Sequence, residues 1–180
     1  MSELKVHPWF RRMDAREEWL CANINRACSA DAVRRFFAGI SRAGDGVAWY
    51  TLMAALPLAG RSGIVASLHM VAVAVVCLLV YKAVKPRLVR VRPCHRHPQI
   101  RLGTAPLDRF SFPSGHTLHA VAFAWTASAH FPELAWVVWP FAGLVAASRV
   151  ILGLHYPSDV LAGATIGAGI AAGLLAVLPA

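Results

Sequence analysis

Three short polar islands interrupt long apolar stretches, and their residue types could hold a phosphate and attack it. In chain order they read Lys85-x6-Arg92-Pro93, then Pro113-Ser114-Gly115-His116, then Ser148-Arg149-x5-His155-x3-Asp159. Lys and Arg are fixed-charge donors to phosphate oxygens. Imidazole is a nucleophile or proton carrier near neutral pH, and a carboxylate can fix its tautomer so that the other ring nitrogen is free to react.

Each island alone also has a plain structural reading. Ser114 is a preferred N-cap opening the run from Thr117 to Phe123, and the unpaired N–H groups of a first helical turn form an anion site. Arg149 stands near the end of an apolar segment, where an arginine is costly unless it pairs, faces water or snorkels. Gly153 marks a helix stop and Pro157 a helix start, so His155 and Asp159 straddle a helix N-terminus, where an acid is favoured whatever its function. Lys85 and Arg92 belong to a basic run, Lys85 to Pro93, of the kind that ordinarily contacts lipid headgroups. The chemistry emerges only when the islands are taken together.

The elements that must position them are membrane helices. The chain has 180 residues, 57% of them hydrophobic and only 15% charged, with mean hydropathy +0.53, too apolar for a soluble domain of this length. Spanning a bilayer takes about 20 residues of helix. Stretches 62–82, 114–131, 134–152 and 158–179 meet or approach that length, and 46–60 completes a hairpin across the Gly60-Arg61-Ser62-Gly63 break. The expected fold is therefore all-α, a multi-pass transmembrane bundle of about five spans over residues 46–180. Residues 1–45 form an N-terminal amphipathic region, because Arg26, Arg34, Arg35 and Arg42 recur among Trp19, Ile24, Phe36, Phe37 and Ile40. This N-terminus has acids among its bases and does not read as a cleavable signal peptide.

The net charge of +9 could suggest nucleic acid, but the bases flank apolar segments and the aromatics lie inside them, so no nucleic-acid partner is expected. With five spans, 17 of the 18 Lys and Arg fall on one side and only Arg61 on the other. The positive-inside rule makes the first side cytoplasmic, which places the islands at the cytoplasmic face of a plasma (inner) membrane. Cys21, Cys28, Cys77 and Cys94 form no CxxC pair and read as free thiols. Cys94, His95 and His97 are too crowded for a closed zinc site.

In order, spacing and membrane setting the three islands resemble the signature of the phosphatidic acid phosphatase type 2 family, which includes membrane lipid phosphatases and vanadium haloperoxidases. The match is complete at every signature position from Lys85 to Asp159. The resemblance implies that His155 is a nucleophile forming a phosphohistidine, that Asp159 orients it, and that His116 protonates the leaving alkoxide. It further implies that Lys85, Arg92, Ser114, Gly115 and Arg149 cradle the phosphate without metal or other cofactor. His119, His69 and His130 are weaker candidates, and Asp108 and Arg109 are placed to shape substrate access. The expected activity is removal of a terminal phosphate from a lipid whose tail stays in the bilayer. Phosphatidylglycerol phosphate or phosphatidic acid leads, with a polyprenyl phosphate or diphosphate as the alternative. A haloperoxidase is disfavoured because those relatives are soluble and larger. A non-catalytic binder of anionic lipid is the reading from another class. The bilayer and the lipid phosphate are the implied partners, and the sequence leaves the oligomeric state open.

Overall fold

The computed structural model describes residues 8–106 and 108–178. It contains eight α-helices: α1 (Pro8–Asn25), α2 (Asp31–Arg42), α3 (Ala48–Ala55), α4 (Arg61–Val84), α5 (Pro93–Arg96), α6 (Gly115–His130), α7 (Ala135–Ile151) and α8 (Pro157–Val177). Among the described residues, α4, Pro132–Ile151 and α8 are long and apolar enough to cross a membrane. Ile64, Leu68, Val71, Val75 and Leu79 of α4, with Trp136 and Val137 of α7, are exposed. An apolar surface of this kind is at home in lipid.

The expected count of five spans divides into those three and two shorter segments. At about 1.5 Å per residue, the 16 residues of α6 reach about 24 Å. The run from α3 through the turn Leu56–Ala59 ends at Gly60, whose φ of 80° breaks the helix before α4 begins. The hairpin lies where the sequence places it, with one short arm.

Helix α6 is the centre of the bundle. Its Leu118, Ala120, Ala122, Phe123, Ala124 and Ala127 are buried against Met70, Val73 and Cys77 of α4, Val145 of α7 and Ala171 of α8. Small residues let α8 approach closely: a Cβ on Gly163 would lie 2.5 Å from the Ser114 carbonyl oxygen, and one on Gly167 would collide with the Leu118 carbonyl. This small-xxx-small pairing brings two backbones into contact. It also seats the N-terminus of α6 beside that of α8, where the Ser114 N–H donates to the Asp159 carbonyl at 3.1 Å.

At the other end of the bundle His130 is the last residue of α6, and its Nε2 lies 2.9 Å from His69 Nδ1 of α4. The N-terminal region packs onto the rest of the fold. Asn25, at the end of α1, donates to the carbonyls of Arg101 and Ile151 and accepts from the Arg101 N–H, joining α1, the 85–114 segment and the end of α7. All four cysteines are free.

Candidate active site

The turn between α7 and α8 delivers His155. Gly153, at φ 72°, reverses the chain at the C-terminus of α7. The Gly153 N–H donates to the Val150 carbonyl, and the N–H groups of Leu154 and His155 donate to the Arg149 carbonyl. This Schellman closure satisfies carbonyls a helix end leaves unpaired and folds His155 back beside Arg149. Pro157 then starts α8, and Asp159 Oδ2 accepts the Tyr156 N–H at 2.9 Å.

The 85–114 segment supplies the remaining cations. Its backbone is extended at Val91, which pairs antiparallel with Phe110, and side chains alternate across such a strand. Arg90 and Arg92, two residues apart on either side of Val91, therefore leave on the same side, toward the α7–α8 turn, and both are buried. The arginine Nη1 of Arg92 donates to the Leu154 carbonyl at 2.8 Å and sits 3.1 Å from His155 Nε2. A guanidinium can only donate, so His155 Nε2 is the acceptor and the ring proton belongs on Nδ1. That nitrogen lies 3.6 Å from Asp159 Oδ2, beyond hydrogen-bond length, and makes no hydrogen bond of full geometry among the described residues, although the Ser111 backbone lies close enough to favour the protonated ring.

Burial, followed by the charges of Arg149, Arg92 and Lys85, holds the His155 imidazole well below its ordinary value. The ring is neutral at physiological pH, with its Nε2 lone pair directed at the cationic group. Arg149 is 2% exposed. One of its nitrogens donates to Ser41 of α2, while its buried Nε has no partner among the described residues.

Asp108 ties the other two cations together. Its Oδ2 accepts from Lys85 Nζ and from the Tyr81 hydroxyl, both at 2.6 Å, and its Oδ1 accepts from Arg92 Nη2 at 2.8 Å. Burial would raise this carboxyl, but the hydrogen bonds from Lys85 and Tyr81 and the charges of Lys85 and Arg92 outweigh it and hold the group at about 2. The Lys85 ammonium is lowered by burial against the pull of Asp108.

In the second island, Ser114 occupies the N-cap position of α6, but its Oγ lies 3.0 Å from Thr117 Oγ1 and makes no capping bond to the backbone. Gly115 is required for packing: a Cβ there would lie 2.7 Å from the Tyr81 ring. His116 Nε2 is 3.2 Å from Oδ1 of Asp45. Asp45 stands in a kink, Ala43–Val47, between α2 and α3, where Gly46 takes φ 124°. His116 and Arg149 line one cavity together, and His155 is within electrostatic reach of His116. The structure thus gathers Lys85, Arg92, Arg149, His155 and Asp159 at one centre, with Ser114 joined to Asp159 through the backbone and His116 at the edge beside Asp45.

Two cavities meet at His116. One, of about 310 Å³, is mainly apolar and lined by Trp49, Tyr50, Ala74, Val75, Leu78 and Phe123. The other, of about 470 Å³, lies between α2 and the 85–114 segment.

Sequence reasoning missed two parts of this arrangement. Asp45 carries no local signal beyond its flanking glycines. Arg90 stands in a run that reads as a solvated flank, yet it is fully buried and binds four partners: Asp14 at 2.8 Å, Glu17 at 2.7 Å, Ser158 at 2.7 Å and Asp159 at 2.5 Å. Burial alone would lower its pKa, but Asp159, Glu17 and Asp14 overcome this and raise it. Asp14 and Glu17, one helical turn apart on α1, are the signal that could have been paired with it. Through Arg90, helix α1 is joined to the carboxylate beside His155.

A sequence model of the PAP2 superfamily matches residues 64–180, which include all three islands. The chain belongs to the PAP2 superfamily. Among PAP2 relatives and other similar proteins, it is 30% identical over 141 residues to decaprenylphosphoryl-5-phosphoribose phosphatase of Mycobacterium tuberculosis, covering 74% of each protein. It is 34% identical over 99 residues to lipid A 1-phosphatase of Rhizobium johnstonii, covering 50% of this chain and 38% of that protein. It is 36% identical over 103 residues to phosphatidylglycerophosphatase B of Bacillus subtilis, covering 49% of this chain and 46% of that one. The matched part is thus less than half the length of the last two. The crystal structure of a transmembrane PAP2 type phosphatidylglycerolphosphate phosphatase from Bacillus subtilis superposes with a TM-score of 0.64 at 26% identity, over 86% of this chain and 82% of the other. That of Aquifex aeolicus LpxE gives 0.69 at 24% identity, over 87% and 93%, and is alike in fold.

Proposed function

We propose that this chain is an integral-membrane lipid phosphatase that removes a terminal phosphate through a phosphohistidine. The observation that carries the reading is His155 itself: a buried, neutral imidazole whose Nε2 accepts from Arg92 and feels the charges of Arg149 and Lys85. Nε2 attacks phosphorus, the bond to the lipid oxygen breaks, and His116 gives that oxygen its proton. Water then attacks the phosphohistidine, His116 takes the proton, and inorganic phosphate leaves. Asp159, 3.6 Å from Nδ1, stabilises the positive charge the ring gains as Nε2 takes the phosphoryl group. Arg92, Lys85 and Arg149, with the α6 N-terminus at Ser114 and Gly115, stabilise the equatorial oxygens. Three fixed cations do here what a metal ion does in many phosphoryl-transfer enzymes.

The names of the relatives support a lipid phosphate as substrate, and the apolar cavity beside His116 suits a tail entering from the bilayer. The concentration of bases around the site supports a cytoplasmic orientation in a plasma membrane. The test is phosphate release from detergent-solubilised phosphatidic acid and phosphatidylglycerol phosphate. Turnover is expected in the wild type, inhibition by vanadate, no inhibition by a chelator, and loss of turnover in His155→Ala. Full turnover in that variant would overturn the assignment of the nucleophile.

A further inference from the structure

The two cavities meeting at His116 differ in chemistry, and the polar one has more positive charge than it balances. Its walls include Arg34, Arg35 and Arg42 of α2, together with Asp45, His116 and Arg149. Arg34 is paired with Asp31 at 3.1 Å, and Asp45 faces His116. Arg35 and Arg42 are exposed, seven residues apart on one face of α2, and make no ion pair or side-chain hydrogen bond among the described residues. The Arg149 Nε is buried and unpartnered. At about 30 Å³ per water-sized group, 470 Å³ holds about 15 such groups, far more than a single phosphate.

His116 stands where the leaving oxygen is protonated, so the rest of the substrate starts from that point and has both cavities within reach. Acyl or prenyl chains fit the apolar cavity. The cationic cavity is left for a polar part of the same leaving group, and its surplus of guanidinium groups selects an anion. We infer that the cavity between α2 and the 85–114 segment is a second anion site, and that the substrate is a lipid whose leaving group itself carries a phosphate. This inference rests on the phosphatase reading above and narrows it. Phosphatidylglycerol phosphate leaves phosphatidylglycerol, an anion; phosphatidic acid leaves neutral diacylglycerol. Helix α2 lies outside residues 64–180, the part matched to the superfamily, so Arg35 and Arg42, which read the leaving group, are separate from the islands that hold the scissile phosphate.

The experiment compares these two lipids with identical acyl chains in non-ionic detergent micelles, following phosphate release. The wild type should favour phosphatidylglycerol phosphate by roughly tenfold or more in kcat/KM, the worth of one charge-assisted hydrogen bond. In Arg35→Gln/Arg42→Gln that preference should fall to about threefold or less, through KM. Arg16→Gln/Arg26→Gln removes the same charge from exposed positions outside the cavity and should keep the ratio, which separates a built site from general attraction to anionic micelles. Residual turnover of phosphatidic acid by the α2 variant reports that it folds. Equal turnover of both lipids by the wild type, or an equal loss of preference in both double variants, would overturn the second site and leave the phosphatase reading intact. Release from neither lipid would overturn both.

Discussion

Replacing Arg90 with Met keeps the length of the side chain and removes its charge. Asp14 and Asp159 have fully buried side chains and Glu17 is 18% exposed, so the change leaves three carboxylates facing one another with Arg96 as the remaining cation on Asp14. Removing one partner from a buried ion pair costs about 3–5 kcal/mol, most of it from the charges left behind. For a domain of this size 1 kcal/mol moves the melting temperature by about 2–4 °C, so thermal unfolding in detergent should show a fall of about 6–20 °C.

The pH dependence sharpens the test. Burial already raises the Asp14 carboxyl despite Arg90 and Arg96, and losing Arg90 raises it further. A carboxyl raised in the folded state binds its proton more tightly there than when unfolded, so stability falls as pH rises through that value. The deficit of the variant should therefore be smaller at pH 5 than at pH 8. Adding Asp14→Asn should restore part of the loss. A melting temperature within about 2 °C of wild type, or a deficit independent of pH, would refute the Arg90 cluster as drawn.

Three further outcomes follow from the same geometry. Gly163→Ala places a methyl group 2.5 Å from the Ser114 carbonyl oxygen and should cost about 1–3 kcal/mol by overpacking; circular-dichroism melts should show it together with a lower kcat, whereas Gly169→Ala, whose Cβ meets nothing within 4 Å, should do neither. Asp108 titrates at about 2 in the folded state, so its contribution is present above the ordinary carboxylate value and lost as pH falls from about 4 to about 2; Asp108→Asn should cost about 1–2 kcal/mol at pH 7, discounted for partial exposure, with the gap to wild type closing across that window. His155 is held below its ordinary value, so the unfolded chain binds a proton that the folded one does not, and this residue should remove up to about 1.4 kcal/mol per pH unit below about 6.5; a His155→Asn melt series from pH 7.5 to 5.5 should be flatter than that of wild type.

Much of the site is legible in the chain because its local determinants are strong. Gly153 and Pro157 set the turn that returns His155 to Arg149, and Ser114 starts α6 where an N-cap residue predicts a helix. Gly115 proves to be fixed by Tyr81, a contact no spacing reveals. Asp45 and Arg90 escape because their meaning is set by partners far along the chain. Arg90 joins positions 14, 17 and 159, and nothing local separates it from Arg92, which shares its face of the short extended segment. The membrane fold follows from apolar run length, but run length does not register that α6 is enclosed by its neighbours.

The most direct measurement of the central claim is rapid quenching during turnover of lipid carrying a 32P-labelled terminal phosphate, followed by peptide mapping. The label is expected on the peptide containing His155, stable in base and lost in acid, and absent from His155→Ala. Label on another residue, or undiminished turnover without label on the protein, would contradict the account.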